Sequence, residues 1–347
     1  MSEFEIKVIK VGKIEEHSEA DRLEIVKVYN YPVCIVKDSF REGDNAVYVK
    51  LDAMVPTDRP EFAFLKVEGR THERIKAKRL RKVFSMGFLI PAKPEWQLGQ
   101  DVREELGIYK YEPPLDANMG GDNESDPGCT THYDIEGFRK FPNALLEGEE
   151  AVITEKIEGC ASTFLHHSEH NRLYVFSHNC CKKEDEKNLW WIIANKYNLK
   201  NRLKQIPNIA VYGEVYGQVK NFRYGITEET PRLLLFDMLD IKTRKWLAYD
   251  DFLRVAKEID MPVVPELYRG PWNPELISLS EGNTTLNNAE HIREGIVIKP
   301  TTERFSEILY GRCIVKYASE TYLLGKKERK KKKKEKQNEI PRKNGSN

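Results

Sequence analysis

Through the first part of the chain, apolar residues come in short runs broken by turn residues. Phe4–Val11, Leu23–Val28, Val33–Val36, Ala46–Leu51, Ile75–Leu80 and Gly87–Ile90 have the β-branched and aromatic content of strands. Arg41-Glu42-Gly43-Asp44 and Val55-Pro56-Thr57-Asp58 supply turns between them. This punctuation predicts a closed or partly open β-barrel of the OB type over residues 1–112. A polar, turn-rich stretch from Pro113 to Cys129, with Met119-Gly120-Gly121-Asp122-Asn123-Glu124 at its centre, is the predicted linker (113–129).

Residues 130–325 mix strands with amphipathic segments. Ser162–Leu165 and Leu173–Ser177 predict a hairpin whose loop, His166–Asn171, holds His166 and His167 in solvent. Asn188–Ile206 predicts one helix, with Leu189, Ile192, Ile193, Tyr197, Leu203 and Ile206 on a single broad face. Strands return over Ala210–Asp240, and Tyr249–Ile259 predicts a short helix. Met261–Glu281, broken by Pro262, Pro265, Gly270 and Pro271, reads as an irregular connection. Gly295–Lys299 and Arg312–Tyr317 are the final strands, bracketing Thr302–Leu309, which has helical potential. The class is α+β: an OB-like barrel, then antiparallel sheets flanked by helices.

A length of 347 residues suits two such domains. Apolar residues make up 40% of the chain and aromatics 10%, enough for ordinary cores, and no apolar run approaches a membrane span. Met1-Ser2-Glu3-Phe4 does not begin a signal peptide. The six cysteines show no metal-site or disulfide spacing, so a reducing, cytoplasmic setting is expected. Net charge is +1, yet residues 326–347 alone hold eleven Lys or Arg against three Glu. This is a predicted disordered basic tail, able to raise affinity for a polyanion without sequence preference, or simply to solubilise.

The candidate chemistry centres on Ile153-Thr154-Glu155-Lys156-Ile157-Glu158-Gly159, a strand that delivers one ammonium group ahead of a glycine that lets the backbone turn. Alone, K-x-x-G is a common pattern. Three later stretches give it company: Ala210–Gly217 with Glu214, Leu233–Met238 with Phe236, and Glu294-Gly295-Ile296-Val297-Ile298-Lys299 followed by Cys313–Tyr317 with Lys316. In this order and spread, from about residue 130 to 325, the chain resembles the covalent nucleotidyltransferases, that is, polynucleotide ligases and RNA capping enzymes. Arg79–Pro91 and Glu147–Lys156 narrow the resemblance to ATP-dependent RNA ligases with an N-terminal OB domain, the Naegleria type.

The resemblance implies that Lys156 is the adenylylated nucleophile, Glu214 binds the ribose, Phe236 stacks on adenine, Glu294 organises the metal and Lys316 contacts the α-phosphate. It places Glu155, Gly159 and Lys299 at the nucleotide too. The implied reaction joins an RNA 3′-OH to a 5′-phosphate, at nicks or RNA ends, with ATP and Mg²⁺ or Mn²⁺, and with the enzyme a monomer. A lysine must lose its proton to attack phosphorus, and Lys299, Lys316 and a metal are expected to drive it off. Mg²⁺ needs only one or two carboxylates, expected from Glu294 and Glu158. Lys76, Lys78 and Arg79 read either as a basic track for an RNA backbone or as a solvated edge strand guarded by lysines, and the resemblance favours RNA.

Three positions depart from the family pattern. Glu158 replaces an aspartate, His178 stands where an arginine is usual and would face RNA, and Ala318 stands where a second lysine is common. The competing readings are a capping-type guanylyltransferase, a DNA ligase, or a non-catalytic RNA-binding OB protein with a decayed transferase domain. The presence of Lys156, Glu214, Glu294 and Lys316 together speaks against decay.

Overall fold

The early runs fold into strands β1 (Val8–Lys10), β2 (Ile14–Glu16), β3 (Leu23–Val28), β4 (Tyr31–Val36), β5 (Asn45–Val49), β6 (Ala53–Pro56), β7 (His72–Arg74), β8 (Lys78–Leu80), β9 (Val83–Ser85), β10 (Phe88–Pro91) and β11 (Tyr109–Lys110). This is a computed structural model that describes residues 4–81, 83–111, 121–178 and 180–325. Its two compact units are residues 1–113 with 320–347, and residues 114–319. The expected basic tail, 326–347, lies outside the described residues.

In the first unit β5 lies between β1 and β10, antiparallel to both. That sheet is buried on both faces. Val8, Val47 and Ile90 enter one core cluster, while Ile9, Ala46, Tyr48 and Leu89 enter another. Burial on both faces explains why β5 is a continuous apolar run without alternation. The predicted strand Ile75–Leu80 is instead two, β7 and β8, because Ile75 bonds back to Ala53 and Asp52 at the end of β6. Alternation still holds across the break: Ile75 and Ala77 are buried, Lys76 and Lys78 exposed.

The second unit holds β12 (Glu136–Gly137), β13 (Glu150–Lys156), β14 (Gly159–His167), β15 (Arg172–Ser177), β16 (Ile209–Tyr216), β17 (Arg232–Asp240), β18 (Lys245–Trp246), β19 (Glu266–Pro271), β20 (Gly295–Pro300), β21 (Phe305–Ser306), β22 (Gly311–Arg312) and β23 (Val315–Ala318), with helices α1 (Leu189–Lys196), α2 (Leu199–Leu203) and α3 (Tyr249–Glu258). They form two five-stranded sheets, β12-β23-β20-β13-β19 and β15-β14-β16-β17-β18. Val152 of the first joins Phe164, Val211, Val215 and Leu233 of the second, together with α1, α2 and α3, in one core. Ala151 and Ile153, on the opposite face of β13, pack with Phe138 and Trp272.

Several local expectations change. The single helix over Asn188–Ile206 is two. Asn188 caps α1 by accepting from the Trp190 and Trp191 amides, and Asn198 breaks the run in the left-handed region at φ 49°. The segment read as irregular contains β19, which pairs Arg269 with Val152 and Tyr268 with Ile153. β19 ends one side of its sheet, where prolines are tolerated. Thr302–Leu309 is not helical: β21 pairs with β22. β14 extends through His167, so His166 lies buried on a strand and not in a loop. Of the expected linker, residues 112–120 fall outside the described residues. Residues 121–129 are docked on the second unit, with the Glu124 amide donating to Cys181 and Asn123 accepting from Lys182. Among the described residues no helix is long and apolar enough to cross a membrane.

One charge cluster locks the second unit's interior. Asp237, fully buried, accepts from Tyr133 Oη at 2.6 Å, Lys299 Nζ at 3.2 Å and Arg312 Nη1 at 2.6 Å. Burial opposes its ionisation, but Arg312 and Lys299 outweigh burial and hold the carboxyl below its ordinary range. Asp237→Ala leaves buried Lys299 without a carboxylate and Arg312 with Glu303 alone, and is expected to cost about 3–5 kcal/mol in chemical denaturation. A loss below about 1 kcal/mol would show the cluster to be dispensable.

Candidate active site

Four residues carry the chain from one sheet to the other. Lys156, last in β13, pairs with Gly295 of β20, and Gly159, first in β14, pairs with Tyr216 of β16. Alternation along β13 puts Lys156 on the Val152 face, toward the core shared by the sheets. Its Nζ donates to Glu294 Oε1 at 2.8 Å. Lys316 of β23 pairs with Val297, so it stands two strands from Lys156 and two residues along, level with Thr154. Glu214, on β16, faces the same group from the second sheet. Its carboxylate and those of Glu294 and Glu158 all act on the Lys156 ammonium.

Desolvation lowers the pKa of Lys156, but Glu294 and Glu214 together outweigh it, and the ammonium is held above its ordinary value. Where neighbouring cations were expected to discharge Lys156, the carboxylates around it hold its proton instead. Lys316 is the lysine pushed down, first by burial and then by Lys156. Burial raises Glu214 to about 7, with Lys156 pulling the other way. A carboxylate and two lysines with displaced proton affinities in one place mark a candidate site.

Other expected residues fall elsewhere, or play a different part. Glu155 points to the opposite face of β13. It is fully buried, accepting from the Thr285 amide at 2.9 Å and hydroxyl at 2.8 Å and from the Thr284 hydroxyl. It anchors the 284–285 segment and does not face the cleft. Gly159 does not turn the chain; a Cβ there would lie 2.2 Å from the Val215 carbonyl oxygen and 2.8 Å from Glu214 Cγ. Glu158 is buried, its Oε1 accepting from Asn221 at 2.8 Å and Oε2 from the Phe222 amide at 3.0 Å. Both oxygens are bound to the loop after β16, so the expected metal ligand is a loop anchor. Lys299 lies four residues up β20 from Gly295, about 13 Å along the strand, and its charge is spent on Asp237. Phe236 is the extra residue of a β-bulge, since Tyr212 pairs with Asp237 and Gly213 with Leu235. The bulge aims its ring at Tyr133, 4.9 Å between centroids, at the edge of a hollow also lined by Thr163 and His178. Lys76, Lys78 and Arg79 are exposed on the first unit, Arg79 beside Glu320.

The sequence reading missed Arg139. Its guanidinium sits 3.6 Å from the centre of the Tyr317 ring, and Nη1 donates to the Ala318 carbonyl at 3.0 Å. Its Nη2 is buried without a hydrogen-bond partner. No local pattern marks it; only the parallel pairing of β12 with β23 brings it there. Glu294 Oε2 is likewise buried and unpartnered.

Residues 149–318 match the RNA ligase family, and residues 6–92 match an OB-fold domain family. The chain carries an RNA ligase domain behind an OB-fold domain. No curated protein matches it in sequence. Among solved structures it is similar to the Naegleria gruberi RNA ligase with PPi and to an aspartate-to-alanine variant of that enzyme without ligand. Each is 25% identical with a TM-score of 0.80, over 93% of this chain and 98% of that one. A lysine-to-alanine variant of the same ligase with ATP and Mn, 24% identical, shares the fold at a TM-score of 0.79 over 91% and 97% of the two chains.

The raised Glu214 pKa gives the RNA ligase domain a pH signature. Between its ordinary 4.5 and its folded value of about 7, the native state binds the extra proton, so this group's contribution to stability falls as pH rises through that window. Glu214→Gln is expected to flatten the stability difference between pH 5 and pH 8, measured by urea unfolding. An unchanged slope would mean that Glu214 titrates as it does in the unfolded chain.

Proposed function

We propose that this RNA ligase uses ATP to join an RNA 3′-OH to a 5′-phosphate, at nicks, through a lysyl-AMP intermediate on Lys156. The observation that carries the reading is Lys156 itself, held at the sheet-to-sheet crossing by Glu294, with Lys316 and Glu214 facing it. Lys156 Nζ attacks the α-phosphorus, a P–N bond forms, and the bond to pyrophosphate breaks. AMP then passes to the RNA 5′-phosphate, and attack by the 3′-OH seals the strand and releases AMP. Such transfers depend on positioning and charge neutralisation.

The residues divide these tasks. Lys316 neutralises charge growing on the α-phosphate. The free Nη2 of Arg139 is a further cation for phosphate beside Ala318. Glu294 Oε1 orients the Lys156 amine and accepts its proton. Glu214 binds ribose hydroxyls, and Phe236, aimed by its bulge, offers a face to adenine. The family's Mg²⁺ or Mn²⁺ fits the donor set, because the buried Glu294 Oε2 is an oxygen ligand with nothing else to bind. Such an ion, when bound, neutralises phosphate charge. Lys76, Lys78 and Arg79 give the first unit a track for the RNA backbone. Six free cysteines support a reducing, cytoplasmic setting.

Incubation with α-labelled ATP and a divalent ion, followed by a denaturing gel, tests the reading. Wild-type protein is expected to take up label, whereas Lys156→Ala and Lys156→Arg take up none, since a guanidinium stays protonated. Label retained in either variant, or label from GTP alone, would overturn it.

A further inference from the structure

Beside the active site, three metal-ligating side chains meet that no step above employs. His132 and Asp134 are two apart on the extended segment before β12, so they share a face. His178 reaches them from the end of β15. The His132 and His178 rings are 4.4 Å apart between centroids, and His132 Nε2 lies 3.7 Å from Asp134 Oδ2. One donor atom from each residue falls within 4.8 Å of the other two. Atoms that share an ion about 2 Å away sit up to about 4 Å apart, so a small side-chain rotation closes the set. The segment that carries two of the donors is itself fixed, with Thr131 and Tyr212 exchanging hydrogen bonds of 3.0 and 2.8 Å and the Tyr133 hydroxyl tied to Asp237.

We propose that His132, Asp134 and His178 bind a borderline divalent transition ion such as Zn²⁺, Co²⁺ or Ni²⁺. Two imidazoles and one carboxylate favour these ions over Mg²⁺, whose preference is for oxygen. Three protein ligands leave coordination positions open. The side chains of His132 and Asp134 are 31% and 38% exposed, so an ion can enter and an outside ligand can reach it. Asp134 also acts electrostatically on Lys316, which places the site within the field of the phosphate-binding lysine. A bound ion puts positive charge at His178, where the resemblance expects an arginine. The open positions suit a phosphate oxygen of the nucleotide or of the RNA end. This last consequence rests on the ligase reading; the ion site does not.

The test is a Co²⁺ titration of the full chain, under a non-thiol reductant, without nucleotide or RNA. Calorimetry and the visible absorption of the ion are followed together. One equivalent is expected to bind at micromolar Kd or tighter, and His132→Ala and His178→Ala are each expected to weaken it by at least ~10-fold. Glu294→Gln should leave binding unchanged, which separates this site from the Glu294 oxygen. Cys180→Ser should do likewise, because Cys180 lines the same hollow. Circular dichroism confirms that the variants are folded, as expected for exposed side chains. Binding only at millimolar ion, affinity indifferent to both histidines, or loss in Cys180→Ser would overturn the site. None of these results depends on whether Lys156 takes up AMP.

Discussion

The second unit depends on the constraint that Lys156-Ile157-Glu158-Gly159 must cross between two sheets. A four-residue crossing leaves little freedom at either end. Lys156 must be the last residue of β13, opposite Gly295, and Gly159 the first of β14, opposite Tyr216. Between them Ile157 and Glu158 are both buried. The Glu158 amide donates to the Tyr224 hydroxyl at 2.6 Å while the Glu158 carboxylate holds Asn221 and Phe222. The crossing therefore fixes the loop after β16 as well as the lysine. Gly159 and Gly213 allow the β14, β16 and β17 backbones to approach where any Cβ would meet a carbonyl oxygen, at 2.2 and 2.8 Å respectively. Positioning of Lys156 here is a property of strand pairing, not of a flexible loop.

Buried charge serves two opposite purposes a short way apart. Around Asp237 the account closes: Tyr133, Lys299 and Arg312 satisfy one carboxylate, and Arg312 turns its other side to Glu303. Such a cluster specifies packing and has nothing left over for a ligand. Around Lys156 it does not close. Glu294 Oε2 and Arg139 Nη2 lack partners, Glu214 is forced toward its neutral form, and Lys316 is pushed down by a like charge. These are strained groups that a polyanion with a divalent ion would satisfy together. The contrast, more than the identity of any residue, distinguishes the site from a structural network.

Much of this was legible in the sequence where one dimension suffices. Short β-branched runs gave the barrel strands, and Lys156, Glu214, Glu294 and Lys316 could be placed at strand ends by their flanking residues. What failed needs a second dimension. Glu155 and Lys156 are neighbours in sequence, yet pleating sends them to opposite faces, so only one can face the cleft. Lys299 belongs to the same strand as Gly295, but register carries it up to Asp237. Glu158 kept a carboxylate where the family pattern has one, and its surroundings gave that carboxylate to the protein. His166 read as a loop residue because nothing local reveals how far a hairpin strand continues.

The departures at 158, 178 and 318 can now be weighed as a set. Glu158 has a longer arm than aspartate, and the extra length is used to reach Asn221 and the Phe222 amide. Ala318 lies opposite Gly295, so close that a Cβ on the glycine would sit 2.8 Å from Ala318 Cα. A cation stands beside position 318 from elsewhere in the chain, because Arg139, in the turn after β12, stacks on Tyr317 and donates to the Ala318 carbonyl. At His178 the substitution adds an imidazole next to His132 and Asp134, residues that a guanidinium could not join as an ion ligand. Positive charge expected at those two positions thus has two local candidates, an arginine from the turn after β12 and the proposed ion site. Charge balance in the cleft, and not the retention of particular residues, is what positions 178 and 318 have in common, whereas Glu158 keeps its charge and turns it to the loop after β16.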